Sequence, residues 1–197
     1  MEDRIQLERR GLEPNEVEHL NLDNIKAKRI TGLSDEYKAL KTLSMINVGL
    51  TSLEGLPNLP ALKHLDLSDN KISKDLERLE NCPSLTHLNL AGNNIIEIES
   101  LRPLASLRNL VSLDLFNCEV ANVEKYRESV FKMLPALKWL DGYDKNDVDE
   151  EELTDDNNSY SGGGENEEDE EEDDAKPGLA YLDSSEVLQV QLLLLSI

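Results

Sequence analysis

The chain has 197 residues with 41 acidic against 20 basic side chains, a formal charge of −21, which bounds it to one domain or one domain plus a tail. The charge is concentrated in residues 144–174, with 17 acids and one base, whereas residues 1–143 hold 22 acids and 18 bases. So acidic a block repels nucleic acid and attracts basic proteins, which excludes direct nucleic-acid binding as the expected role.

Residues 1–17 read as an N-terminal helical cap. Met1-Glu2-Asp3-Arg4 is charged with no apolar run behind it, so no secretory signal is expected. Arg4 to Arg10 is predicted to form a short helix with Ile5 facing inward, ended by Gly11 and Pro14. Leu12 is expected to follow Ile5 into the core. A stacked array needs such a lid, because its first unit otherwise leaves apolar edges in water.

Residues 18–125 read as repeats. Leu62-Lys63-His64-Leu65-Asp66-Leu67-Ser68-Asp69-Asn70 has the form L-x-x-L-x-L-x-x-N, the strand half of a leucine-rich repeat. A copy stands at Leu85 to Asn93. A third stands at Leu110 to Cys118, with Cys in the Asn position. Val17-x-x-Leu20-x-Leu22 and Leu40-x-x-Leu43-x-Met45 are degenerate copies, whose asparagines, Asn24 and Asn47, fall one place early. Leu20, Leu43, Leu65, Leu88 and Leu113 are 23, 22, 23 and 25 residues apart, within the class. Leu53/Leu56/Leu59, Leu76/Leu79 and Leu101/Leu104/Leu107 have a three-residue spacing that suits 3₁₀ or helical turns on the convex side. Asn70 and Asn93 are expected to bond backbone of neighbouring turns, and Cys118 to do so weakly. The fold class is therefore an α/β leucine-rich repeat solenoid, a curved parallel sheet on the concave face with short helices or 3₁₀ turns behind it.

Residues 126–143 read as the C-terminal cap, with Val130, Phe131 and Leu134 on one helical face. From Tyr143 the apolar periodicity stops. Residues 144–174 are expected to be a disordered acidic tract, and 175–197 a short apolar end segment. That segment's apolar run, Val187 to Ile197, is too short to span a membrane, which takes about 20 residues. Cys82 and Cys118 sit inside repeat units rather than at disulfide spacings. Asn157-Asn158-Ser159 is a glycosylation sequon left idle without a signal peptide. The chain reads as a reduced, intracellular monomer with no membrane partner.

In L-x-x-L-x-L the residues flanking each inward leucine face the concave side. One column is His19, Thr42, His64, His87, Ser112 and Trp139. The next is Asn21, Ser44, Asp66, Asn89, Asp114 and Asp141, and a third is Asp23, Ile46, Ser68, Ala91 and Phe116. His64 and His87 fall on adjacent strands about 4.8 Å apart. A metal or acid–base site there is conceivable beside Asp66, but a zinc site wants three or four converging ligands, and neighbours on one sheet do not converge. The ordinary reading is a polar docking face of His64, Asp66, His87, Asn89 and Asp114, with Phe116 and Trp139 as aromatic anchors for a protein. No nucleophile is partnered and no phosphate-binding loop or metal motif is present, so neither an enzyme nor a cofactor is expected.

In the acidic tract, Glu165, Glu167, Glu168, Asp169, Glu170, Glu171, Glu172, Asp173 and Asp174 are expected to hold a basic partner such as a histone, in a salt-sensitive way. A solubilising tail is the plainer alternative. Thr154, followed by Asp155 and Asp156, is a candidate phosphosite for an acid-directed kinase.

These stretches together resemble the acidic leucine-rich nuclear phosphoprotein family. The resemblance rests on Ile46 to Ser52, Ser84 to Leu90, Leu113 to Val120, Tyr126 to Asp144 and the acidic tract, and it covers residues 1–174. It implies histone binding and chaperoning, inhibition of histone acetylation and inhibition of a type 2A serine/threonine phosphatase. It also implies shuttling between nucleus and cytoplasm, links to mRNA-export factors and modulation of apoptosis. Gly178, Leu179, Tyr181 and Leu182 are similar to a stretch that, in one branch of the family, removes a variant core histone from chromatin. The acidic run is short for the family, and its C-terminal Lys/Arg cluster is missing. The alternatives are a phosphatase inhibitor acting through the repeat surface and a scaffold in mRNA processing or export, since the cap motif also occurs in spliceosomal leucine-rich proteins.

Overall fold

The computed structural model describes residues 1–149. The first helix, α1 (Glu2–Glu8), carries Glu2 and Asp3 in its first turn, where the helix dipole favours negative charge, and an Arg4–Glu8 ion pair at 2.9 Å. Ile5 is its one buried residue, as expected. Leu12 does not join it. The chain turns through left-handed Arg10 and Gly11, and the Arg9 guanidinium donates to the Leu12 carbonyl at 2.8 and 2.9 Å. That pins the segment at the surface and leaves the Leu12 side chain 47% exposed.

Six strands follow: β1 (His19–Asn21), β2 (Thr42–Ser44), β3 (His64–Asp66), β4 (His87–Asn89), β5 (Ser112–Asp114) and β6 (Trp139–Leu140). They form one sheet in sequence order with every pair parallel. Register runs Leu20, Leu43, Leu65, Leu88, Leu113, Leu140, and all six leucines are buried. Two more apolar rows lie beside them: Val17, Leu40, Leu62, Leu85, Leu110 and Leu137 before the strands, and Leu22, Met45, Leu67, Leu90 and Leu115 after them. Each such side chain contributes about 1.5–3 kcal/mol by leaving water, so the rows together drive the stacking of units that cannot fold alone.

The strands are short because the backbone reverses soon after each. Asn24, Asn47, Asp69, Asn117 and Gly92 occupy the left-handed region at the same place in successive units. This corrects the register expected for Asn24 and Asn47. They are not displaced members of the buried asparagine row but belong to this turn column, which asparagine tolerates. The position level with Asn70 is Ile25 in the first unit and Val48 in the second.

The buried row itself carries the turn backbone. Asn70 Oδ1 accepts from the N–H groups of Val48, Gly49 and Leu50 at 3.1, 2.8 and 3.0 Å, and its Nδ2 donates to the carbonyls of Met45 and Leu67 at 2.8 Å. Asn93 Oδ1 accepts from Ile72 N–H at 2.9 Å, while its Nδ2 donates to Leu67 and Leu90. Cys118 Sγ donates to the Leu90 carbonyl at 3.2 Å. Leu67 and Leu90 carbonyls therefore each serve two rungs, tying one unit to the next.

Behind the sheet run 3₁₀ segments Leu76–Asn81, Ile98–Ser106 and Glu119–Asn122. Leu53, Leu56 and Leu59 are buried, yet no 3₁₀ turn forms there, contrary to the spacing. The chain instead bends at Gly55 (φ +90), where a Cβ would sit 2.2 Å from the Ile30 carbonyl oxygen. That close approach demands glycine. Helix α2 (Tyr126–Met133) closes the other end, burying Tyr126 and Val130, with Leu134 buried just beyond and Phe131 half-buried. Arg127 donates to the carbonyls of Leu140 and Asp144 at 2.9 and 2.7 Å and pairs with Asp147 at 3.2 Å. Tyr143 bridges to Leu140 and to Asp149. Ordered cap structure thus runs to Asp149, past the boundary expected at residue 143, because Arg127 gathers carbonyls and a carboxylate that composition alone assigns to the tail.

Candidate protein-docking face

The strand parity puts the expected columns on one face. His19, Thr42, His64, His87, Ser112 and Trp139 are in register, as are Asn21, Ser44, Asp66, Asn89 and Asp114. Asp141 leaves its expected place at the end of the second column. Its backbone turns into the left-handed region, and its carboxylate points inward. Oδ1 accepts from Leu115 N–H at 2.7 Å and Oδ2 accepts from the Tyr126 hydroxyl at 3.0 Å. Burial holds the Asp141 carboxyl above its ordinary range, opposed by those two hydrogen bonds, and pushes the Tyr126 hydroxyl up as well. Asp141 is thus a structural acceptor at the cap.

The second column is organised by a local bond that sequence reading did not anticipate. Oδ1 of Asn21, Asp66, Asn89 and Asp114 accepts from the N–H two residues on, in Asp23, Ser68, Ala91 and Phe116. The signal was there in the Asn/Asp at each position, since these side chains form such turns readily. One oxygen of each carboxylate is committed to backbone. Asp66 Oδ2 accepts from Asn89 Nδ2 at 3.1 Å, so the second oxygen is committed there too. Asp114 gives only one oxygen to the turn. At the N-terminal end Asp23 Oδ1 accepts from Ser44 Oγ at 2.6 Å and Ile46 N–H at 2.8 Å.

His64 and His87 stack with ring centroids 4.4 Å apart and planes 20° from parallel. Stacked rings present faces to each other and do not converge their nitrogens on one point. His87 Nδ1 lies 2.8 Å from Thr86 Oγ1, whose proton goes to the Lys63 carbonyl at 2.9 Å. Burial, then the neighbouring His87 and Lys63, hold His64 below the ordinary imidazole range, so it is neutral at pH 7. Among the described residues, no three His, Cys, Asp or Glu side chains are grouped to hold a metal. Phe116 is 64% exposed, and Trp139 is half-buried on the last strand. Cys82 and Cys118 are buried free thiols, with Cys82 pushed up to about 12 by burial. Thr154, the acids from Glu165 to Asp174, and Gly178, Leu179, Tyr181 and Leu182 lie outside the described residues. Among those described, no helix is long and apolar enough to cross a membrane.

Sequential parallel strands, leucine rows, an asparagine ladder and a polar outward face define a leucine-rich repeat protein. The leucine-rich repeat family matches residues 3–165. Acidic leucine-rich nuclear phosphoprotein 32 family member A of Drosophila melanogaster is 50% identical over 147 residues, 75% of this chain and 56% of that protein. The protein of the same description from Drosophila pseudoobscura pseudoobscura is 49% identical over 151 residues, 77% of this chain and 57% of that one. The chain belongs to the leucine-rich repeat family and, within it, to the acidic leucine-rich nuclear phosphoproteins. It spans a little over half the length of these curated relatives. Among solved structures, a chain of the Drosophila melanogaster SNF/U2A′ complex superposes with a TM-score of 0.66 at 29% identity, covering 74% of this chain and 84% of that one. Internalin C2 of Listeria monocytogenes shares the fold, with a TM-score of 0.56 at 22% identity over 70% of this chain and 61% of that one.

Proposed function

We propose that this chain is a non-enzymatic, histone-binding regulator of chromatin acetylation and transcription that acts as a histone chaperone. The concave face, through His64, Asp66, His87, Asn89, Asp114, Phe116 and Trp139, docks a folded protein. The acidic tract holds that protein's basic segments by summed charge. The observation that carries the reading is the pairing of an ordered polar face with 17 acids and one base in residues 144–174. The nuclear naming of the relatives supports work in the nucleus. Shuttling to the cytoplasm and a part in apoptosis follow from the family reading. Thr154 phosphorylation would add charge to the tract, and Gly178 to Leu182 would engage a variant histone. Core histones retained on the immobilised chain at rising salt test it. Deleting residues 150–174, which leaves the cap through Asp149 in place, is expected to abolish retention at about 0.15 M salt, where the Debye length is near 8 Å; unchanged retention removes the tail mechanism.

A second reading is inhibition of protein phosphatase 2A through the repeat surface. It is favoured by the exposed Phe116 beside Asp114, since exposed aromatics anchor interfaces. Residues 1–149 alone should then inhibit, and Phe116→Ala should not. A third is a scaffold in mRNA processing or export, favoured by the likeness to a chain of the SNF/U2A′ complex. Retention of an RNA-processing protein without histones would select it.

A further inference from the structure

The carboxylates of the concave columns are not equally available. Both oxygens of Asp23 are taken: Oδ1 accepts from Ser44 and Ile46, and Oδ2 from Asn21 Nδ2 at 2.9 Å. Both oxygens of Asp66 are taken too, Oδ1 by Ser68 and Oδ2 by Asn89. Asp141 points inward to Leu115 and Tyr126. Asp114 differs. Its Oδ1 accepts from Phe116 N–H at 2.8 Å, while no donor among the described residues reaches Oδ2. Asn89, its neighbour on β4, gives its Nδ2 to Asp66 and its Oδ1 to Ala91 N–H.

Asp114 also lacks a cation beside it. The cup of about 480 Å³ that it helps to line, across β2 to β5, has Asp66, His64 and His87 as its other titratable groups and neither lysine nor arginine. The row preceding the strands carries Lys41, Lys63 and Lys138, but Lys41 is paired with Glu18, and at β5 this row holds Val111. No ion pair joins Asp114 to a described residue. Its charge is left to act on its surroundings. It is one of the causes that hold the Cys118 thiol, the Tyr126 hydroxyl and the Asp141 carboxyl above their ordinary ranges, after burial. Two aromatic side chains stand close by. Phe116, largely exposed, is two residues on, about 7 Å along the chain, and Trp139 is in register with Ser112, two residues back.

We propose that the concave face binds an arginine side chain of its partner at Asp114, with the guanidinium on Oδ2 and its aliphatic stem against Phe116. This rests on the reading of that face as a protein-docking surface and names the group it takes. A carboxylate oxygen without a donor calls for a charged one. A planar guanidinium sheds water more readily than an ammonium and stacks on aromatic faces, which suits a site bordered by Phe116 and Trp139. Asp23 and Asp66 do not substitute for Asp114, because their oxygens already hold turn backbone and neighbouring side chains.

The test uses the full 197-residue chain, isotope-labelled for NMR, and the probe acetyl-glycyl-arginyl-glycine amide at about 0.15 M salt. The expected result is movement of the Ser112, Asp114 and Phe116 amides and the Trp139 indole N–H, saturating at millimolar probe. Asp114→Asn should abolish it without disturbing the fold, since Asn21 and Asn89 make the same turn bond through Oδ1 on β1 and β4. Asp66→Asn should leave it in place. The citrulline counterpart of the probe, alike in shape and uncharged, should move nothing. Shifts that survive Asp114→Asn, equal weakening by Asp66→Asn, or an equal response to the lysine counterpart each overturn the proposal. Retention of core histones on the immobilised chain separates it from the docking reading. Asp114→Asn should weaken retention about tenfold, the loss of one charged hydrogen bond. Retention weakened by Phe116→Ala but not by Asp114→Asn, with a silent probe, keeps the docking reading and overturns the arginine site. Probe shifts at Asp114, with retention indifferent to both variants, support the arginine site and remove the docking reading.

Discussion

Replacing Asn70 with alanine should destabilise the protein more than replacing Asn93, although both are buried rungs of the same ladder. On the donor side the two are alike, since each Nδ2 reaches three carbonyls. On the acceptor side they differ. Asn70 Oδ1 takes three backbone N–H groups, and Asn93 Oδ1 takes one. A buried donor left unpaired costs about 1–3 kcal/mol. The extra pair at Asn70 includes the part-buried Gly49 N–H, so the low end applies to it. The difference between the variants is then about 2 kcal/mol, with Asn70→Ala costing about 4 kcal/mol in all. The cavity left is the same asparagine-sized space in both and cancels in the comparison. Urea unfolding at 25 °C, followed by far-ultraviolet circular dichroism and Trp139 fluorescence, reads this directly. With a slope of about 2 kcal/mol/M, the midpoints should lie about 1 M apart. Equal midpoints at unchanged slope, or a lower midpoint for Asn93→Ala, would refute the assignment of turn stability to Oδ1.

Gly55→Ala should cost several kcal/mol, about 3 or more, since a Cβ there meets the Ile30 carbonyl at 2.2 Å in a left-handed backbone; the same urea titration checks it. Burial raises the Asp141 carboxyl in the folded state, so folding takes up protons above the ordinary aspartate range. That contribution is present below the unfolded value of 3.8 and is lost as pH rises through the folded one. Asp141→Asn lacks this proton uptake and should therefore steepen the loss of stability as pH falls, measured as thermal midpoints between pH 3 and 7. His64 should titrate below 6.5 by NMR, and His87→Ala should move it back up, because the second ring is one of the causes of the shift. A His64 midpoint unmoved by His87→Ala would mean the stacking neighbour carries none of the effect.

The concave columns were legible in the sequence because strand parity is strict: a leucine that must be buried forces its two neighbours outward. His64, His87, Asp66, Asn89 and Asp114 could be placed in register by counting alone. The asparagine row was legible for a similar reason, since a polar side chain amid leucines must have backbone to bond. Three details at the ends of the array resisted. Leu12 is apolar, yet Arg9 holds its carbonyl at the surface. Asp141 fits its column by number, yet Tyr126, fifteen residues earlier, draws its carboxylate inward. Residues 144–149 are acidic and polar like the tract that follows, yet Arg127 collects their backbone.

The repeat period, the inward leucines and the outward faces were thus determined by sequence alone, because each is a local rule of alternation repeated until chance is excluded. Tertiary structure decided what happens at the ends, where the repeat has no neighbour to copy. There, the Arg9 bonds to the nearby Leu12 carbonyl and the longer-range bonds from Tyr126 and Arg127 outweigh the apolar and charge pattern. Beyond the last strand Tyr143 bridges back to Leu140, whereas beyond the first no described strand pairs.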